Sequence, residues 1–113
     1  MSESENSSTA ASQSQCDKLA AAVLRYCEAN HFKIAAAESL TGGLLADAFV
    51  RIPGASKVFL GSAVTYDIRA KAKILGVNAD LLAREGAVHP EVARQMAAGT
   101  AQLYRQTEDG DCV

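Results

Sequence analysis

Ser39 stands directly after Glu38 and just ahead of Thr41, Gly42 and Gly43, at the end of the apolar run Ala35-Ala36-Ala37. The run reads as a short strand entering a tight turn that opens a helix. A serine at that junction lies beside the backbone N–H groups of a helix start, which favour a phosphate or a developing oxyanion. Nucleophile, anion donors and carboxylate would then share one turn, with Ser39 as the nucleophile and Glu38, Thr41, Gly42 and Gly43 as substrate-binding residues. Whether those N–H groups serve an oxyanion or a phosphate stays open.

A serine hydroxyl reacts poorly without a base. The chain has two histidines, His31 and His89. His31 precedes the first strand, which places it at the opposite end of the sheet. His89 sits before Pro90 and reads as a helix-start residue, though the fold could bring it closer. Lysine is the other option, since burial or nearby positive charge can fit a lysine for base catalysis. Lys71 follows Asp67 by one helical turn, at the carboxyl end of the second strand. In a parallel sheet that is the end where Ser39 lies, and Tyr66 closes the strand there. Ser39, Tyr66 and Lys71 are therefore expected to converge at the functional rim of an open α/β sheet, with Tyr66 relaying a proton or positioning the lysine. Taken singly each has a plainer reading. Ser39 suits a helix N-cap, Glu38 a solvated or ion-paired carboxylate, Tyr66 a packing position and Lys71 an exposed helix face. Gly42-Gly43 could serve only close helix–strand packing. Convergence at one rim carries the functional reading.

The elements that must hold these residues follow from local signals. Residues 1–14, rich in Ser, Gln and Glu, are expected to be a disordered tail. From Gln15 the pattern is helical, with Leu19, Ala22, Val23, Tyr26 and Cys27 as the apolar stripe and Asn30 as the stop. Lys33 to Ala37 is a short buried strand. Thr41 to Ile52 is a helix burying Leu44, Leu45, Ala48, Phe49 and Ile52. Pro53-Gly54-Ala55-Ser56 is a loop, and Val58 to Tyr66 a second strand. Asp67 caps a helix that Gly76 ends, Asn78 caps another that Gly86 ends, and Pro90 opens a last helix. There Val92, Met96, Thr100 and Leu103 line one face. Strand, helix, strand implies a right-handed parallel βαβ unit. The fold class is thus α/β: a parallel βαβ core flanked by helices over residues 15–106, followed by an acidic tail, 107–113. Two strands against about five helices is an awkward ratio for a parallel sheet, so the domain is expected to be incomplete.

Bulk properties narrow the function. The 113 residues suffice for one modest domain, 49% hydrophobic with 21% charged residues. A net charge of −2 without a basic cluster gives no reason to expect a nucleic-acid partner. Three cysteines, Cys16, Cys27 and Cys112, contain no CxxC pair, which argues against a disulfide framework or zinc site and for a reducing, cytoplasmic setting. The amino terminus lacks the pattern of a secretory signal. No apolar run is long enough to cross a bilayer, so no membrane partner is expected.

Several ordered motifs resemble one known family. Ala37-Glu38-Ser39-x-Thr41-Gly42-Gly43 is similar to its A-E-S-x-T-G-G signature, and Pro53-Gly54-Ala55-Ser56 to its P-G-[SA]-S loop. Val64-Thr65-Tyr66, Lys71 and Leu75-Gly76-Val77 resemble its V-T-Y-x4-K-x3-L-G-V run, and Gly86-Ala87-Val88 a further block. The family is the CinA carboxy-terminal domain, nicotinamide-nucleotide amidohydrolase, and the resemblance covers roughly Gln15 to Tyr104. It implies a three-layer α/β domain that hydrolyses the carboxamide of a small-molecule nucleotide, nicotinamide mononucleotide, to nicotinate mononucleotide and ammonia. Neither metal nor cofactor is implied, and homo-oligomerisation stays open. The family's serine, tyrosine and lysine map onto Ser39, Tyr66 and Lys71. Leu40 and His89 depart from the family pattern, which has Cys or Ser at the first position and Ser at the second. Family members continue with a strand and a Gly-rich G-[IVT]-A-G-P turn that this chain lacks. A truncated domain is the expectation, with a catalytically silent nucleotide-binding or regulatory fragment as the alternative function.

Overall fold

The computed structural model describes residues 3–105, with side chains from Ser12 onward. The elements run α1 (Glu3–Ala29), β1 (Ile34–Glu38), α2 (Leu44–Val50), a 3-10 turn (Ala55–Lys57), β2 (Phe59–Val64), α3 (Ile68–Leu75), α4 (Ala79–Glu85) and α5 (Pro90–Leu103). This is the expected α/β order of a parallel strand pair with five helices. Helix α1 begins at Glu3, so the tail expected to be disordered over 1–14 is helical from residue 3. No Gly or Pro lies between Glu3 and Ala29, so no helix-breaking residue interrupts α1 along that length. The acidic tail, 107–113, lies outside the described residues.

Helix α1 stops on a left-handed residue. His31 has φ +60°. Its N–H donates to the Glu28 carbonyl at 3.3 Å, and the Phe32 N–H to the Cys27 carbonyl at 2.8 Å. This two-bond closure is normally given to glycine. The Asn30 side chain also donates to the Tyr26 carbonyl, in keeping with a stop at that position.

β1 and β2 pair in parallel, with Ala36 opposite Ser62, Ala37 opposite Ala63 and Glu38 opposite Val64. The Thr65 N–H donates to the Glu38 carbonyl at 2.9 Å, which extends the ladder by one residue. Both strands therefore release their chains side by side at one end of the sheet, and this alone brings residue 39 near residues 65 and 66.

Two apolar clusters hold the helices. One joins Leu75, Val77, Leu81, Leu82, Val92 and Met96 to Ala63 of β2. The other joins Leu24 and Cys27 of α1 to Ala55 and Val58. The buried stripe of α1 is Ala20, Leu24 and Cys27, whereas Leu19, Val23 and Tyr26 are exposed. The expected stripe was rotated by one residue because nearly every position from 19 to 27 is apolar, and periodicity cannot choose a face in such a run. Helix α2 buries no residue fully. Phe49 and Ile52 pack on the second cluster, but Leu44 and Leu45 are exposed. Leu103 also lies outside the Val92–Met96–Thr100 face. Gly99 lets α5 lie directly on the end of α3, because a Cβ there would stand 1.8 Å from the Leu75 carbonyl oxygen.

Candidate active site

Asp67 fixes the start of α3, its carboxylate accepting from the N–H groups of Arg69 and Ala70 at 3.0 and 3.1 Å. One turn on, this directs Lys71 under the strand ends. The side chain is 1% exposed. Its Nζ donates to Ser39 Oγ at 2.9 Å, to the Thr65 carbonyl at 2.6 Å and to the Tyr66 carbonyl at 2.9 Å. The two main-chain carbonyls take two of its protons, and the contact with Ser39 Oγ is the one along which a proton can pass between amine and hydroxyl. Among the described residues no carboxylate lies within ion-pair distance of this nitrogen. The exposed-lysine reading is overturned, and so is Ser39 as a helix cap: the N-cap of α2 is Gly43, at φ +120°.

Glu38 explains why Ser39 is free of that task. The Glu38 side chain is 3% exposed. Its Oε1 accepts from Thr41 Oγ1 at 2.9 Å, Gly43 N at 3.1 Å and Leu45 N at 2.9 Å. Its Oε2 accepts from Ala46 N at 3.1 Å and Ser62 Oγ at 2.7 Å. Burial pushes the carboxyl pKa up, but the bonds from Ser62, Leu45, Thr41 and Ala46 outweigh it and bring it from 4.5 to about 2. The Gly42 and Gly43 amides, expected to await a substrate anion, are already engaged within the protein. The protein's own carboxylate fills the α2 start, and the Gly42 N–H is turned back to the Ser39 carbonyl at 3.2 Å. Glu38, Thr41, Gly42 and Gly43 build the turn that presents Ser39.

Tyr66 meets the pair through its main chain. Its side chain is exposed, the residue as a whole at 75%, and its carbonyl is what touches Lys71. The structure thus brings Ser39 and Lys71 together, with the Tyr66 backbone beside them. A groove of about 440 Å³ opens over the pair, walled by Val88, His89, Ala93 and Met96. A cavity of similar volume beside Pro53 and Gly54 has no ionisable side chain in its walls.

Sequence reasoning missed two contributors, Ser62 and Thr65. Ser62 looked like an ordinary strand residue, and only the register sets it opposite Ala36 and within reach of Glu38. Thr65 acts through its carbonyl, for which no side-chain signal exists. His89 reads as a helix-start residue that the fold could bring closer. It is one, since Nδ1 accepts from the Glu91 N–H at 3.1 Å, yet the fold also places it in the groove wall. Among the described residues no group of three His, Cys, Asp or Glu side chains gathers as a metal site requires, and no helix is long and apolar enough to cross a membrane.

A parallel α/β scaffold that presents a hydrogen-bonded serine–lysine pair at its strand ends is the class of domain these observations define. Residues 16–107 match the model of the CinA C-terminal domain, and the chain belongs to that family. It is 55% identical over 74 residues to a putative competence-damage inducible protein of Moorella thermoacetica, covering 66% of this chain and 18% of that one. It is 40% identical over 97 residues to a CinA-like protein of Thermotoga neapolitana, covering 86% of this chain and 23% of that one. Among solved structures, the competence/damage inducible protein CihA of Agrobacterium tumefaciens superposes with a TM-score of 0.77 at 37% identity, over 80% of this chain and 55% of that one. A CinA superfamily protein of Escherichia coli gives 0.75 at 34% identity, over 78% and 51%. The chain therefore spans about a fifth of these curated relatives and about half of these solved structures.

Proposed function

We propose that this chain carries the catalytic centre of an amidohydrolase that converts nicotinamide mononucleotide to nicotinate mononucleotide and ammonia. The observation that carries the reading is the 2.9 Å contact between Lys71 Nζ and Ser39 Oγ, made by a lysine withdrawn from solvent at the rim where an α/β sheet places its chemistry. Ser39 Oγ attacks the carboxamide carbon while Lys71, as the free amine, takes the hydroxyl proton. The tetrahedral adduct collapses, Lys71 returns the proton to the departing nitrogen, and ammonia leaves. Water then attacks the acyl-serine, giving a proton to Lys71; as the acyl–oxygen bond breaks Lys71 passes that proton to Ser39 Oγ, and the acid product loses its own proton to solvent and leaves as the carboxylate. The Thr65 and Tyr66 carbonyls hold Nζ on the hydroxyl throughout. Tyr66 belongs to the proposed centre by this carbonyl, and a proton-relay role for its phenol is tested separately by Tyr66→Phe.

The deciding experiment measures ammonia release from nicotinamide mononucleotide by the parent chain, Ser39→Ala and Lys71→Met. Methionine keeps the bulk of the buried side chain while removing the amine. Turnover by the parent with a loss on the order of 10³-fold in both variants is the expected result. Wild-type turnover in either variant would remove the mechanism. Calorimetric binding of the nucleotide without ammonia release would instead identify a silent nucleotide-binding or regulatory module.

A further inference from the structure

Three residues in the wall of the groove carry polar side chains: Ser39, Lys71 and His89. The first two are engaged with one another, and the remaining Lys71 bonds go to main-chain carbonyls. The rest of the wall, including Val88, Pro90, Ala93 and Met96, is apolar. Such a wall can take the flat face of a ring but cannot fix which way the ring points. His89 can. As the N-cap of α5 its Nδ1 accepts the Glu91 N–H. An accepting Nδ1 carries no proton, so in the neutral ring the proton sits on Nε2. The cap also holds the ring in place, because the bonded nitrogen belongs to it. Ser, Thr, Asp or Asn would cap as well or better, so capping alone does not call for an imidazole here.

We propose that His89 orients the substrate, its Nε2–H donating a hydrogen bond to an acceptor on a heteroaromatic amide lying in the groove. This rests on the amidohydrolase reading, and the test separates the two. His89→Ser keeps a capping oxygen and removes the ring, whereas His89→Ala removes both. The serine variant is expected to unfold within about 3 °C of the parent. Its KM for nicotinamide mononucleotide should rise about tenfold while kcat changes less than about threefold, the pattern of a lost binding contact. An unchanged KM in a folded His89→Ser protein overturns the proposal.

Ring NMR supplies a second readout, because His31 and His89 are the two histidines of the chain. Titrating Ser39→Ala with nicotinamide mononucleotide should move the His89 ring signals and leave those of His31 in place. Calorimetric binding with a static His89 signal would sink this proposal and leave the hydrolase reading standing. A parent chain that neither binds nor hydrolyses the nucleotide would remove both.

Discussion

Five donors converge on the Glu38 carboxylate, and they decide how the site answers to acid. In the folded chain the carboxyl titrates at about 2, against 4.5 when free of these partners. Above pH 4.5 both folded and unfolded chains carry the charge, and the full stabilisation is present. Between 4.5 and 2 the unfolded chain takes up a proton that the folded one refuses, so stability falls as pH is lowered through that window. Chemical denaturation at pH 7, 4 and 3 should show this slope, and Glu38→Gln should flatten it. The same substitution turns an acceptor oxygen into a donor facing N–H groups, and should cost about 2–3 kcal/mol at pH 7. Because Ser39 is the next residue, the variant should also lose activity if the turn is what presents the nucleophile. A folded Glu38→Gln protein with unchanged stability and unchanged pH slope would remove this account.

At the scale of elements, two backbone features give opposite signs. Replacing Gly by Ala inside a helix ordinarily stabilises by up to about 1 kcal/mol. At Gly99 the new methyl would strike the Leu75 carbonyl, so Gly99→Ala should destabilise by about 1–3 kcal/mol as α5 is pushed off α3. His31→Gly should raise stability by about 0.5–1 kcal/mol, since the left-handed conformation costs a side chain and not a glycine. Thermal unfolding of the two variants checks both signs. These elements also show what could be read without coordinates. Asp67, Asn78, Gly76, Gly86 and Pro90 marked helix ends correctly because capping is a local interaction between residues two to four apart. The meeting of Ser39 with Lys71 was legible because parallel pairing forces both strand ends to one side. The buried face of α1 was not legible, since an almost uniformly apolar run has no unique face. Nor was the loss of the α2 amides to Glu38, because the sequence does not say whether a carboxylate at a strand end turns inward or outward.

The described residues form a thin body, with principal extents of 47 × 42 × 17 Å. Among the described residues the sheet has two strands, and each presents an outer edge with unpaired main-chain groups. Leu19 and Leu44, 61% and 69% exposed, add apolar surface that the described residues leave open to water. Concentration-dependent association is therefore expected in light scattering at neutral pH. The double substitution Leu19→Gln and Leu44→Gln should weaken it while shifting unfolding by no more than about 0.5 kcal/mol. A strictly monomeric parent would show that these surfaces are tolerated in water. The seat at the beginning of α2 has its own bearing on what the molecule can admit. A negative guest finds that doorway already taken by a resident of like sign, in a chain whose overall charge is −2. A mononucleotide of the proposed kind would thereby enter with its cationic pyridinium ring leading and its phosphate trailing outward, away from the serine.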